Sequence, residues 1–97
     1  MLERGIEAYF TRAVKAAGGE TRKFLGRINN PDRIVIWPGG GRGIFRPTLV
    51  HFVELKRPGG KPRKAQMREL NRLNKMGCTA LYLDTKEIID VYVDAWK

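Results

Sequence analysis

His51-Phe52-Val53-Glu54-Leu55-Lys56, with Pro31-Asp32 upstream of it, is the stretch on which the fold turns. Read as a strand, it alternates faces with period two. His51, Val53 and Leu55 point one way; Phe52, Glu54 and Lys56 point the other. A carboxylate and an ammonium therefore emerge together near one strand end. Asp32 follows a proline at the head of a second apolar run, Ile34-Val35-Ile36-Trp37. Two acids and a lysine converging on one sheet edge can hold a divalent cation and direct a water at a phosphate.

Working outward, the runs 33–37 and 49–56 read as a hairpin, broken by Pro38-Gly39-Gly40-Gly41 and a long loop carrying Arg42 and Arg46. Upstream, Leu2, Ile6, Tyr9, Phe10, Ala13 and Ala17 fall at helical spacing, and Gly18-Gly19 ends that helix. Glu20 to Leu25 reads as a short basic strand, followed by a turn-rich Gly26 to Pro31. Downstream, Arg57-Pro58-Gly59-Gly60 is a turn. A helix is expected to begin near Pro62, with Ala65, Gln66, Leu70, Leu73 and Met76 as its stripe and Gly77 as its stop. Thr79 to Leu83 is the next apolar strand, and a strand-helix-strand unit of this length makes a right-handed parallel crossover. From Thr85 onward Ile88, Val91, Tyr92, Ala95 and Trp96 fit a closing helix capped by Asp84 or Thr85, although Val91-Tyr92-Val93 could instead be strand. The order αβββαβα describes one α/β domain over residues 1–97, a mixed sheet flanked by helices.

Composition narrows the chemistry. Ninety-seven residues carry 19 Lys+Arg against 10 Asp+Glu, a net charge of +9, which favours a polyanionic partner. A single cysteine, Cys78, excludes an internal disulfide and a cysteine-rich zinc site. There is no apolar stretch long enough to span a bilayer and no signal peptide at the start, so an intracellular protein without a membrane partner is expected. Gly39-Gly40-Gly41-Arg42-Gly43 lacks the Lys-Ser/Thr ending of a nucleotide-phosphate loop and lies between strands, so no nucleotide cofactor is expected.

Magnesium and manganese take oxygen ligands, commonly one or two carboxylates with waters and phosphate oxygens. Asp32 and Glu54 supply that number, and the Leu55 carbonyl lies between the two functional side chains as a third oxygen. Lys56 stands where it can orient the attacking water and offset transition-state charge. The bland alternative is an exposed Glu54–Lys56 pair on an edge strand, worth little. Glu7 borders the apolar face of the first helix and could reach a metal-bound water, or be an ordinary first-turn acid that complements the helix dipole. Gln66 could bond the lysine, the water or a phosphate, or be plain helix-surface polarity. Lys56, Arg57, Lys61, Arg63, Lys64, Arg68, Arg72 and Lys75 face only Glu69 in charge over 56–75, which suits phosphate positioning beside the acids. Arg22, Lys23 and Arg42 are further candidates for that role. His51 reads as structural or surface, and Cys78 as a small buried residue. Together these residues indicate metal-dependent phosphodiester hydrolysis.

The ordered set Glu7, Gly18-Gly19, Pro31-Asp32-Arg33, Pro38-Gly39-Gly40, Phe52-Val53-Glu54-Leu55-Lys56, Pro58-Gly59-Gly60, Lys64-Ala65-Gln66 and Gly77 resembles the PD-(D/E)xK nucleases. Within them it resembles the VRR-NUC (virus-type replication-repair nuclease) family, across nearly the whole chain. Asn29-Asn30 departs from the glycine-plus-small-apolar lead-in of that pattern. The resemblance implies a restriction-endonuclease-like αβββαβ core, with Mg2+ or Mn2+ held by Asp32, Glu54 and the Leu55 carbonyl. Lys56 would be the catalytic lysine, with Glu7 and Gln66 completing the site. The family includes the nuclease domain of a Fanconi-associated repair nuclease and many stand-alone phage proteins. A free-standing domain of this size is similar to the latter, which implies a homodimer acting on branched DNA such as Holliday junctions in the cytoplasm of a bacterial host. Acting on flaps, single strands or nicked duplex, or binding nucleic acid without catalysis, are the alternatives. For the dimer contact, the C-terminal stretch with Tyr92 and Trp96 is the candidate.

Overall fold

The computed structural model describes residues 2–40 and 46–97. Helix α1 (Glu3–Ala16) leads into strand β1 (Glu20–Lys23), then β2 (Arg33–Trp37) and β3 (Leu49–Leu55). Helix α2 (Lys64–Lys75), strand β4 (Thr79–Leu83) and helix α3 (Lys86–Trp96) complete the chain. The strands form a sheet in the order β1-β2-β3-β4. The first three strands pair antiparallel, and β3 pairs parallel with β4 across the α2 connection. This is the mixed sheet expected from the sequence.

Alternation along β3 decides what each face carries. Val53 and Leu55 join Val35 and Trp37 of β2 and Leu83 of β4 in one core, closed by Ile6, Phe10 and Val14 of α1 and Ile89, Tyr92 and Val93 of α3. Glu54, on the other face, meets Gln66 of α2. The sheet is therefore sandwiched, with α1 and α3 on the apolar face and α2 on the face that bears the polar cluster.

His51 also lies on the core face, where it is buried. The Tyr92 hydroxyl accepts from Trp37 Nε1 at 3.1 Å and shares a hydrogen bond of 2.7 Å with His51 Nδ1. Burial holds the His51 pKa below its ordinary range and pushes the Tyr92 phenol up to about 12. His51 is thus structural and not a surface group. The Trp96 ring stands edge-on to it, with centroids 4.3 Å apart. Tyr92, being in the core, is not available for contact between copies.

Other expectations shift at the ends of elements. Met76 is the cap of α2 and is exposed, so the buried stripe ends earlier; Leu2 is exposed as well, lying just outside α1. Helix α2 starts at Lys64, two residues past Pro62, with Arg63 still extended and donating its N–H to Gln66 Oε1. Cys78 is half-buried. Residues 91–93 are helical, and Thr85 caps that helix through its hydroxyl, which accepts from Ile88 N–H. None of the described helices is long and apolar enough to cross a membrane.

Candidate active site

Extending the β2–β3 register by one residue sets Asp32 across from Glu54. Two reciprocal bonds hold the acids there. The Asp32 N–H donates to Glu54 Oε1 at 3.1 Å, and Asp32 Oδ2 accepts from the Leu55 N–H at 3.0 Å. Each carboxylate is thus oriented by the other strand's backbone, a fixed geometry that needs no flexible partner.

Two more donors converge on Glu54 Oε2. Gln66 Nε2 lies 2.7 Å from it and Lys56 Nζ 3.1 Å. Gln66 is itself fixed, because its Oε1 accepts from the Arg63 N–H at 2.8 Å. The start of α2 is in this way clamped to the carboxylate. Lys56 is held from below by its N–H, which donates to the Leu83 carbonyl at 3.0 Å. After it the chain turns over Arg57–Gly60, with Gly60 N–H donating to the Arg57 carbonyl at 2.8 Å. Gly59 has φ +79°, a conformation that L side chains rarely adopt, as a turn with Pro58 before it requires.

Glu54 is only 1 % exposed, whereas Asp32 is exposed. Burial, and then the neighbouring Asp32 charge, push the Glu54 pKa up to about 7, against the opposing pull of Lys56. A carboxylate so placed is short of positive charge. The arrangement fits a hard divalent cation: two carboxylates oriented toward each other, with Glu54 Oε1 taking only one N–H and Asp32 bonded in the described contacts only through Oδ2. Among the described residues no group of three or more His, Cys, Asp or Glu gathers.

The remaining sequence candidates fall around this cluster. Glu7 lines the same cavity of about 400 Å3 as Asp32, Leu55 and Lys23, but its Oε1 accepts from Arg33 Nη1 at 3.0 Å. Glu7 therefore stands on the cavity wall already paired. Arg33, part of the Pro31-Asp32-Arg33 motif but given no role from sequence, is buried and donates to Glu7, Thr11 and Thr21. Its signal was present: Arg33 alternates with Val35 and Trp37, and an arginine on an apolar face must find partners. Arg57, Lys61, Arg63, Lys64 and Arg68 are all exposed around the α2 side. Arg22 and Lys23 are exposed on β1, with Arg22 paired to Glu20. Arg42 lies outside the described residues.

No family model matches the chain. It is 35% identical over 91 residues, 92% of its own length and 89% of the other protein's, to a protein of Acyrthosiphon pisum secondary endosymbiont phage 1 named "Putative nuclease p44". Its fold superposes on a solved VRR_NUC domain with a TM-score of 0.77 and 28% identity, covering 98% of this chain and 97% of that one. The chain belongs to the VRR-NUC family. In this VRR-NUC chain the restriction-endonuclease-like core is the four-stranded mixed sheet with its three helices. The acids and lysine that carried the resemblance stand together at the junction of β2, β3 and α2.

Proposed function

We propose that this protein is a Mg2+- or Mn2+-dependent endodeoxyribonuclease that cuts branched DNA and resolves Holliday junctions as a homodimer. The observation that carries the reading is the Asp32–Glu54 pair, cross-bonded through the two backbones, with Lys56 on the same carboxylate oxygen as Gln66. Nuclease activity itself accords with the family.

Asp32, Glu54 and the Leu55 carbonyl would hold the cation, with Glu7 bordering it. When bound, such a cation polarises the phosphate and lowers the pKa of a ligated water. The chain's own groups do the rest. Gln66 keeps Glu54 from rotating. Lys56 holds an ammonium beside the attacking water and opposes the charge that builds on the phosphorus oxygens. Arg57, Lys61, Arg63, Lys64 and Arg68 grip flanking phosphates and set the strand's direction, without reading sequence. Two symmetric cuts in a junction call for two such sites related by a two-fold axis.

Labelled four-way junction, flap, single-stranded and nicked duplex DNA, each incubated with Mg2+, with Mn2+ and with EDTA, test this reading. Paired cuts in the junction that require the cation are expected. Metal-independent binding with no cleavage of any substrate would replace it with the binding-module alternative. Sedimentation should give about twice the 11.1 kDa chain mass.

A further inference from the structure

The connection between β1 and β2 presents two large aliphatic side chains to solvent. Leu25 is 82 % exposed and Ile28 84 %, more than any other large hydrophobic among the described residues. The connection is nonetheless tied down. Its neck is closed by Phe24 N–H donating to the Asp32 carbonyl at 2.8 Å, and its tip by Asn30 N–H donating to the Arg27 carbonyl at 3.2 Å. Asn29, at φ 73°, takes the left-handed conformation that asparagine tolerates better than most residues. Arg63 Nη2 reaches its side-chain oxygen at 3.4 Å, joining the tip to the start of α2.

The surroundings say what these side chains face. Leu25 and Arg27 line the cavity that holds Asp32 and Leu55, with Arg4 and Lys23 also in its lining. Ile28 lines the adjoining hollow with Arg27, Arg68 and Arg72. The apolar tips thus line hollows they share with Asp32 and with several cations, of which Arg72 is paired to Glu69. A continuous duplex must be unstacked, at a cost, before such tips can enter between its bases. A branch point exposes the face of a terminal base pair, and Leu and Ile are among the side chains proteins use as wedges against base steps.

We propose that Leu25 and Ile28 form a wedge that rests on the terminal base pair at a DNA branch point, steering the strand beyond it into the cleft lined by Asp32 and Leu55. The wedge rests on the reading of this protein as a branched-DNA nuclease, and it assigns branch selectivity to two residues outside the acid–lysine cluster.

The test uses a four-way junction with 2-aminopurine in the base pair at the branch, in EDTA so that hydrolysis plays no part. The intact protein should raise the fluorescence, because the base is partly unstacked. Leu25→Ser/Ile28→Ser should bind the junction yet raise it little. In Mg2+ its cleavage of junction relative to single strand should fall by about tenfold or more, unstacking being worth a few kcal/mol per step. Leu25→Met/Ile28→Met keeps apolar bulk and should behave as the parent, which separates the wedge from misfolding. An unaltered fluorescence rise and cleavage ratio in the serine variant would overturn the wedge. So would a change from dimer to monomer in that variant, since the side chains would then belong to contact between copies. A fluorescence rise without cleavage in Mg2+ or Mn2+ would retain the wedge and refute the nuclease reading; cleavage without the rise would refute the wedge alone.

Discussion

Asp32 and Glu54 orient each other through backbone: the N–H of Asp32 holds Glu54 Oε1, and the N–H of Leu55, next to Glu54, holds Asp32 Oδ2. Strand register sets one oxygen of each acid, and Gln66 and Lys56 hold the second oxygen of Glu54.

Asp32→Ala and Glu54→Ala should each reduce cleavage to background while retaining or slightly tightening DNA binding. On the proposed reading, each substitution removes an oxygen ligand and, with it, a negative charge that repels phosphate. Gel shift beside a cleavage assay checks both halves. Substantial hydrolysis by purified Glu54→Ala would remove Glu54 from the site.

Lys56→Ala should lose nearly all cleavage, yet calorimetry should still detect the divalent cation, because the proposed role of the ammonium is toward water and transition state. Lys56→Arg should fail too, since a planar guanidinium differs in hydration and geometry from a compact ammonium. Near-normal turnover by either protein would make Lys56 a surface cation only.

Gln66→Leu is expected to lower metal affinity or activity by roughly ten- to a hundredfold, as loss of a ligand's supporting hydrogen bond commonly does. Its amide joins Arg63 N–H to Glu54 Oε2. Gln66→Glu would bring a second carboxylate against Glu54 and should be worse than leucine. Equal activity of all three proteins would return Gln66 to helix-surface polarity.

Stability without metal should carry the mark of Glu54. Its folded pKa, about 7, exceeds the ordinary 4.5, so between those values the folded chain binds a proton that the unfolded chain does not. This group's contribution is complete below the lower value and disappears as pH rises through the upper one. His51 acts oppositely: burial depresses its pKa, so its contribution grows as pH rises toward 6.5. Subtracting the Tm of Glu54→Gln from that of the parent, in EDTA, isolates the first effect. The difference should fall between roughly pH 5 and pH 7, and Mg2+ should stabilise the parent increasingly over that window, since the cation needs the ionised carboxylate. A difference independent of pH would show Glu54 titrating as an ordinary acid.

Binding should weaken with salt at roughly −0.9 per phosphate contact on duplex DNA. Neutralising Arg63, Lys64 and Arg68 together should flatten that slope with little change in sequence preference. An unchanged slope would move the phosphate-binding face to Arg22 and Lys23.

The acid–lysine cluster was legible because it depends on period two in β3 and on one hairpin, both local patterns. The pairing of Asp32 with Glu54 is the same register continued one residue past β2. What stayed hidden depends on how helices dock. Nothing local indicates that Arg33 will reach across to Glu7 on α1, or that Tyr92 will turn inward to join Trp37 and His51 while Val91, its neighbour, faces water. Met76 fits the α2 stripe by spacing, yet it falls on the cap, where the helix has ended and no face remains to be buried.

The bond from Lys56 N–H to the Leu83 carbonyl has a consequence for synthesis. Glu54 and Lys56 leave the ribosome long before β4, and until residues 64–83 have folded over them there is neither Gln66 to hold the carboxylate nor Leu83 to hold the lysine's backbone. Parallel pairing across a helix is a late, non-local event. An incomplete chain lacking residues 64–83 therefore carries Glu54 and Lys56 without these two contacts.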